Sequence, residues 1–474
     1  MRSESRDRRG RRGTRLTAAL AITGVLAAGC SPGTDESSEP EPTAAAETTE
    51  TPDEPAAESE PAAETDVAAD CGTDDVVMNA YFETGFELPF ALSEEFTRQY
   101  PNVTWDIKQD QFSNLMTATP RLLSGDNPPD LIRLPTMVSL VQDGLLRNLD
   151  EHAEAFGWND FPAAQLAQNR VDDTGIRGSG SLYAMGLNYS LTGVYYNKEL
   201  AAQAGMTDEP TTVAEFDAIL AEAEAQGLVP IMAWNASASG GGLAFPLQHL
   251  MAAYGPSTPI NEWIFQQPGA TIDTPSNLEA AQHLQGWIEA GYFPEDLNAV
   301  EYTDANTRFR SGEGVFLFNG DWENANHDAE MGDNVGFFLF PSVEADGPVA
   351  AMSAPGTYGI AADAPNADCA AFFFDWVATN PEARQINVDV GGSSPGGPTD
   401  LPVPEVEAAI TAETLEAGNV IGADNGQMDF IANATGAIFA EGWTPELQKM
   451  VGGRQDAAGL LSTVQAEYES QLAG

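Results

Sequence analysis

The sequence predicts an α/β protein of two lobes, and three observations carry that prediction. Beyond residue 74, short apolar strands alternate with helices whose apolar positions share one face, the rhythm of a mostly parallel sheet covered by helices. That part holds about 400 residues, too many for a single common core, so two lobes are expected. The stretch before it has the composition of a leader and a linker rather than of a core.

The leader comes first. Arg2, Arg6, Arg8, Arg9, Arg11, Arg12 and Arg15 form a positive start, followed by a thirteen-residue apolar run from Leu16 to Ala28. Such a run fits a signal-peptide core and is too short for a stable membrane span. It ends in Ala27-Ala28-Gly29-Cys30, small residues before a cysteine, which resembles the lipobox of bacterial lipoproteins. Leu26 lies one place further from the cysteine than in the usual pattern. Residues 1–29 are therefore expected to be a lipoprotein signal peptide and Cys30 the lipidation site, with an ordinary secretory signal cut elsewhere as the alternative. The paired arginines also suit twin-arginine export, but no clear motif follows them, so the route stays open.

Residues 31–70 contain thirteen Asp or Glu and no Lys or Arg, amid Pro, Ala, Thr and Ser. Such a segment cannot bury enough apolar surface to offset its ordering entropy. Residues 30–74 are expected to be a disordered acidic tether, with a coil span of roughly 35 Å for its forty acidic-rich residues. The domain beyond would work on the extracellular face of the cell membrane.

Composition excludes some partners. The full chain carries a formal charge of −52, and without residues 1–29 it keeps 13 basic and 70 acidic residues. A polyanion such as nucleic acid would be repelled, and direct adsorption to anionic lipid is disfavoured. Lys108, Lys198 and Lys449 are the only lysines, a bias that suits a salt-rich habitat or a GC-rich genome and says little about ligand. No later segment approaches eighteen unbroken apolar residues. With Cys30 assigned to lipid, Cys71 and Cys369 remain as a candidate disulfide, the alternative being two separate thiols.

Along the folded part, Val76-Val77-Met78 predicts a first strand. Leu88, Leu92, Phe96 and Tyr100 recur every fourth residue as one helix face, which Pro101 ends. Val103 to Ile107 alternates like a second strand, and a loop with Gly125, Pro128 and Pro129 precedes the apolar Leu131-Ile132. Thr212-x-x-Glu215 and Ser276-x-x-Glu279 have the spacing of capping boxes, and Gly227 and Gly291 sit where helix C-terminal caps belong. Leu460, Val464, Tyr468 and Leu472 form the stripe of a last helix.

Enzymatic signals are absent from the sequence. Among so many carboxylates no glycosidase pair stands out. His152, His249, His283 and His327 lack zinc-site spacing, and there is no P-loop and no nucleophile elbow set between a strand and a helix. Gly240-Gly241-Gly242 has the look of a loop rather than a phosphate cradle. No cofactor and no metal are expected.

Several passages carry a resemblance. Leu182-Tyr183-Ala184-Met185-Gly186, then Gly193 to Leu200, then Pro210-Thr211-Thr212, resemble the core signature of family 1 extracellular solute-binding proteins, the maltose-binding-protein-like receptors of sugar ABC importers. Gly125 to Ile132 is similar to that family's G-x-x-PD-hydrophobic segment, and Gly144 to Leu149 to the turn after it. Phe309 to Phe316 and Asn319-Gly320-Asp321-Trp322 resemble its F-x-x-G-x-A-A-M and N-G-x-W elements, with Gly314 in place of an alanine.

The resemblance implies the two-lobed, type II periplasmic-binding-protein-like fold, with discontinuous lobes joined by a hinge. Lobe one would comprise residues 75–187 and 319–376, and lobe two residues 188–318 and 377–474. Cys71 and Cys369 would then both belong to lobe one, making their bridge plausible. The implied protein is a receptor and not an enzyme, a monomer that binds a mono- or oligosaccharide between its lobes and delivers it to ABC permease subunits. A non-sugar small solute, or a surface hydrolase on a related scaffold, is the alternative.

Sugars have apolar faces that stack on aromatic rings and hydroxyls that need donors and acceptors. On that basis Trp322 is the leading contact, with Asp321 beside it accepting hydroxyl bonds and Trp234 as a second stacking ring. Phe82 and Glu83 follow the first strand, where cleft loops begin in this architecture. Asn188 and Tyr189 fall at the first hinge crossing, Gly356 and Thr357 before a returning strand, and Trp443 in a late loop. Tyr195-Tyr196, a pair that elsewhere binds iron, is read as strand structure here.

Overall fold

The computed structural model describes residues 67–473, apart from 135, 238–239, 399, 403 and 424–425. The expected signal peptide, Cys30 and nearly all of the tether lie outside the described residues. From Cys71 onward the chain enters the fold through a disulfide to Cys369, in the helix Ala367–Thr379.

The sheet starts as the apolar pattern predicts. Strand β1 (Val76–Glu83) runs parallel to β2 (Val103–Asp110) over its whole length and to β3 (Leu131–Arg133) on its other side. Met78, Ala80 and Phe82 alternate on one face and are fully buried. Helices α1 (Leu88–Gln99) and α2 (Phe112–Leu123) make the crossovers. Asp130, in the Pro-Pro-Asp turn before β3, accepts from the Asn79 amide (2.9 Å) and the Asn366 amide (2.9 Å). One buried carboxylate thus ties β1 to the start of the helix Ala367–Thr379.

Two small strands, β4 (Arg170–Val171) and β5 (Ser181–Leu182), form a hairpin base. Strand β6 (Ala184–Asn197) is long enough to serve both lobes. Its first half pairs antiparallel with β10 (Ala351–Gly359), which in turn pairs with β3. Its second half pairs with β8 (Gly314–Gly320) and β9 (Val335–Phe338), and β7 (Val229–Met232) lies parallel to β8. The short β11 (Gln427–Met428) adds to β10 at Ala351. A third link is the bridge between Tyr189 and Ser394.

The core divides accordingly. Phe82, Phe96, Trp158, Phe373 and Trp376 gather beneath β1 to β3. Phe216, Leu247, Trp263, Phe316 and Leu460 gather on the other half. Tyr195, Trp234, Phe309 and Phe337 form a smaller cluster beside that second core.

Strand β9 pairs with the second half of β6, and Phe337 and Phe338 pack with the residues of the second core and the cluster beside it. Ala383, in the helix Pro381–Asp389, packs with the β1 core.

Local signals hold in part. Thr212 caps the helix Val213–Ala225, accepting from the Glu215 amide at 3.2 Å, while the Glu215 carboxylate turns to Thr211. Gly227 and Gly291 adopt left-handed φ of 77° and 78°. Ser276 does not cap its helix; Thr274 does, with Pro275 at the first position, where a missing N–H costs nothing. Leu472 leaves the final stripe and is exposed, whereas Leu460, Val464 and Tyr468 are buried.

Candidate functional site

Parallel strands end together, and their C-terminal ends open toward the space between the lobes. Glu83 ends β1 and Arg133 ends β3, and their charged groups meet at 3.4 Å. Arg133 also donates to the Leu134 (3.1 Å) and Thr357 (3.0 Å) carbonyls and lies over the rings of Phe112 and Tyr358, each at 5.9 Å. Burial pushes the Glu83 carboxyl up, and Arg133 partly offsets the rise. Phe112 and Met116, at the start of α2, pack against the lobe-two core and so mark where the lobes meet.

On the lobe-two side, Trp322 is half-buried just after β8. Its indole N–H donates to Tyr302 Oη at 2.8 Å, which donates to Glu323 Oε1 at 2.6 Å. Gly320 leaves room for the ring, since a Cβ there would meet it. Phe245 stands edge-on to Trp322, with centroids 6.2 Å apart, and packs on Phe430 at 4.8 Å.

The hinge strands carry four further expected residues. Asn188 donates to Ser190 Oγ (3.0 Å) and Ser393 Oγ (2.7 Å), so its amide links β6 to the third crossing. Its carbonyl oxygen occupies the space a Cβ would need at Gly356, where β10 bulges between Pro355 and Thr357. Tyr189 donates its backbone N–H to Ser394 O at 2.8 Å. Thr357 Oγ1 donates to Asn169 Oδ1 at 3.2 Å.

Other expected contacts lie elsewhere. Phe82 is fully buried among Phe90, Trp105 and Tyr358, because strand alternation turns it away from Glu83. Trp234 is buried against Tyr302 (4.9 Å) and Phe245 (5.3 Å) and supports the aromatic cluster from behind. Trp443 is fully buried against Trp263, its indole donating to Ile431 O at 3.2 Å, so it is a core residue rather than a loop cap. Asp321 is buried beneath the hinge, accepting from the Leu191 amide at 3.0 Å. Burial pushes its carboxyl well up, and hydrogen bonds offset only part of the rise.

Residues 392–396 have the letters of a nucleophile elbow, Gly-Ser-Ser-Pro-Gly. Ser394 nonetheless sits in the third crossing, where its hydroxyl accepts from the Gly396 amide at 3.3 Å.

Sequence reasoning missed one further group of residues. A cavity of about 30 Å³ is lined by Arg133, Met137, Thr357 and Arg177 together with Asp429 and Asn433. Arg177 and Asp429 form a buried ion pair at 2.5 Å. They stand 252 residues apart, and neither belongs to a motif. The cavity has room for water-sized molecules, so any larger ligand must part the lobes or move their side chains. Among the described residues no cluster of three metal-ligating side chains occurs.

Solved structures share the fold at low identity. A chitin oligosaccharide binding protein aligns with a TM-score of 0.71 at 19% identity, over 85% of this chain and 100% of its own. The bacterial solute receptor AcbH, described as preferring β-D-galactopyranose, aligns at 0.70 and 16% identity over 84% of this chain and 99% of its own. Maltose-bound MalE3 of T. maritima aligns at 0.65 and 17% identity, over 83% and 99%. No match was found among curated proteins. Residues 80–384 match the bacterial extracellular solute-binding protein family, a family of binding proteins, and the chain belongs to it.

Proposed function

We propose that this protein is the carbohydrate-binding receptor of an ABC importer, lipid-anchored at Cys30 and tethered on the extracellular face of the membrane. The observation that carries the reading is the cavity where Arg133 and Thr357 meet Asp429 and Asn433. In this reading, half-buried Trp322 and Phe245 supply rings from one lobe, the Glu83–Arg133 pair supplies polar groups from the other, and the hinge strands join the lobes. Trp322 stacks on a sugar face, its indole N–H already held by Tyr302. Glu83, Asn188, Tyr189 and Thr357 meet hydroxyls. Phe82, Trp234, Trp443 and Asp321 hold these groups in place from behind, and Gly356 lets the hinge strands approach. Structures of the same fold include receptors named for chitin oligosaccharide, galactopyranose and maltose, which supports a sugar over another solute.

Lobe closure buries the sugar and creates the surface that permease subunits meet. The receptor acts as a monomer and needs no cofactor. Titrating tryptophan emission against a panel of neutral mono- and oligosaccharides tests the reading. Saturable change without product is expected; turnover of a glycoside would sink it.

A further inference from the structure

The Arg177–Asp429 pair is built by an element that the family motifs do not cover. Between β4 and β5 the chain makes a hairpin tip, residues 172–180. Asp172 Oδ1 accepts from the Thr174 (2.8 Å) and Ile176 (3.0 Å) amides, closing the turn. Gly175, Gly178 and Gly180 take φ of 86°, 98° and 81°, which other residues rarely adopt. The base of the hairpin belongs to lobe one, since Val171 and Leu182 pack in its core. Its tip reaches lobe two: the Arg177 amide donates to Phe265 O at 3.2 Å, and its guanidinium lies 4.9 Å from the Phe265 ring centroid. The ion pair therefore crosses from one lobe to the other.

Its hydrogen bonds are incomplete in a specific way. Arg177 Nη2 donates to both Asp429 Oδ2 and Gln168 O, yet the buried Nε has no partner. Asp429 Oδ1 accepts from the Phe430 amide and from Asn433 Nδ2. That last bond fixes the Asn433 amide, so the buried atom left without a partner is its acceptor, Oδ1. A donor and an acceptor, both on side chains lining the cavity, thus remain unused beside a cation already neutralised by a carboxylate. Buried polar groups of this kind are costly unless something pairs with them.

We propose that Arg177 and Asn433 form a binding subsite, shared by the two lobes, for an uncharged hydroxyl-bearing end of the ligand; the assignment rests on the carbohydrate reading. A hydroxyl both donates and accepts, so it satisfies Asn433 Oδ1 and Arg177 Nε. A carboxylate or phosphate cannot donate to Asn433, and it meets Asp429 already occupying the guanidinium. An ammonium group has no acceptor for Arg177. Arg133 is likewise neutralised by Glu83. Specificity for uncharged ends is thereby set by pairs formed before the ligand arrives.

Calorimetry on the folded secreted chain tests this with neutral malto-, xylo- and chito-oligosaccharides and with glucuronate-ended oligosaccharides as probes. A neutral probe is expected to bind, its glucuronate-ended counterpart at least tenfold more weakly, and Asn433→Ala to weaken the neutral probe about tenfold while circular dichroism shows the variant still folded. Arg177→Gln is expected to weaken it similarly, and Asp429→Asn to shift preference toward the glucuronate. Should Asp429→Asn fail to fold, Asn433→Ala still decides. Equal binding of the glucuronate by the wild type, or a neutral probe indifferent to Asn433→Ala because ordered water satisfies these atoms, overturns the subsite alone. Binding of no saccharide overturns the carbohydrate reading itself, and the subsite with it.

Discussion

Trp322 owes its place to its neighbours: Gly320 makes room for the ring, Tyr302 holds the indole nitrogen, and Phe245 stands against its edge. Removing the ring should cost about 1–3 kcal/mol of sugar affinity, as stacking and apolar burial are lost together. Calorimetry on Trp322→Ala checks this, and unchanged affinity would take the residue out of the site. Two histidines make a different prediction. His249 and His327 are buried, and burial drives each down to about 3 from an ordinary 6.5, with Arg310 adding to the effect on His327. Each binds its proton more readily when unfolded, so the stability it contributes is full above pH 6.5 and is lost as pH falls toward 3. His327→Leu removes one of these groups. Its urea midpoint should gain on the wild type between pH 7 and pH 5, and a constant difference would contradict a buried neutral imidazole. Residue identity alone made Trp322 and Glu83 candidates, because an N-G-x-W element and a strand end announce them. It could not separate Phe82 from Glu83 by facing, nor a core Trp443 from a cleft one. Arg177 and Asp429 were illegible for another reason, since only the fold brings them within reach.

At the scale of elements, the hinge is a packed device rather than a loose joint. Strands β6 and β10 cross between the two halves of the sheet, and the Gly356 bulge lets the Asn188 side chain lie in the space between them. Gly356→Ala would force a Cβ against the Asn188 amide and should destabilise the fold by about 1–3 kcal/mol. Urea denaturation measures the loss, and Asn188→Ala in the same chain should recover part of it. Additive losses would show that the two residues do not share space. The apolar period and the Pro-Pro-Asp turn made β1, α1, β2 and β3 readable in order. Strand β9 was not, because it is a short apolar run whose partner is decided by pairing with β6 rather than by its own pattern. The cap at Thr274 shows the same limit: two hydroxyl residues lay near one helix start, and Pro275 decided between them.

At the scale of the molecule, the two-core division was legible from length, and the bridge between Cys71 and Cys369 from elimination. The bridge closes a loop with a sequence separation of 298 residues. Replacing both cysteines by serine should lower stability by about 2–5 kcal/mol, given how much freedom so long a loop regains when unfolded. Thermal melts of Cys71→Ser/Cys369→Ser against the wild type check this, and equal midpoints would leave the bridge without a stabilising role.

The same bond settles where a mechanical load would go. A pull applied upstream of Cys71 meets a covalent link to the helix Ala367–Thr379 before it can draw β1 out from between β2 and β3. That helix is seated in the lobe-one core, so tension arrives at one lobe as a whole and at neither hinge strand. Tension entering from that side is thus carried within one lobe and does not pry the two apart.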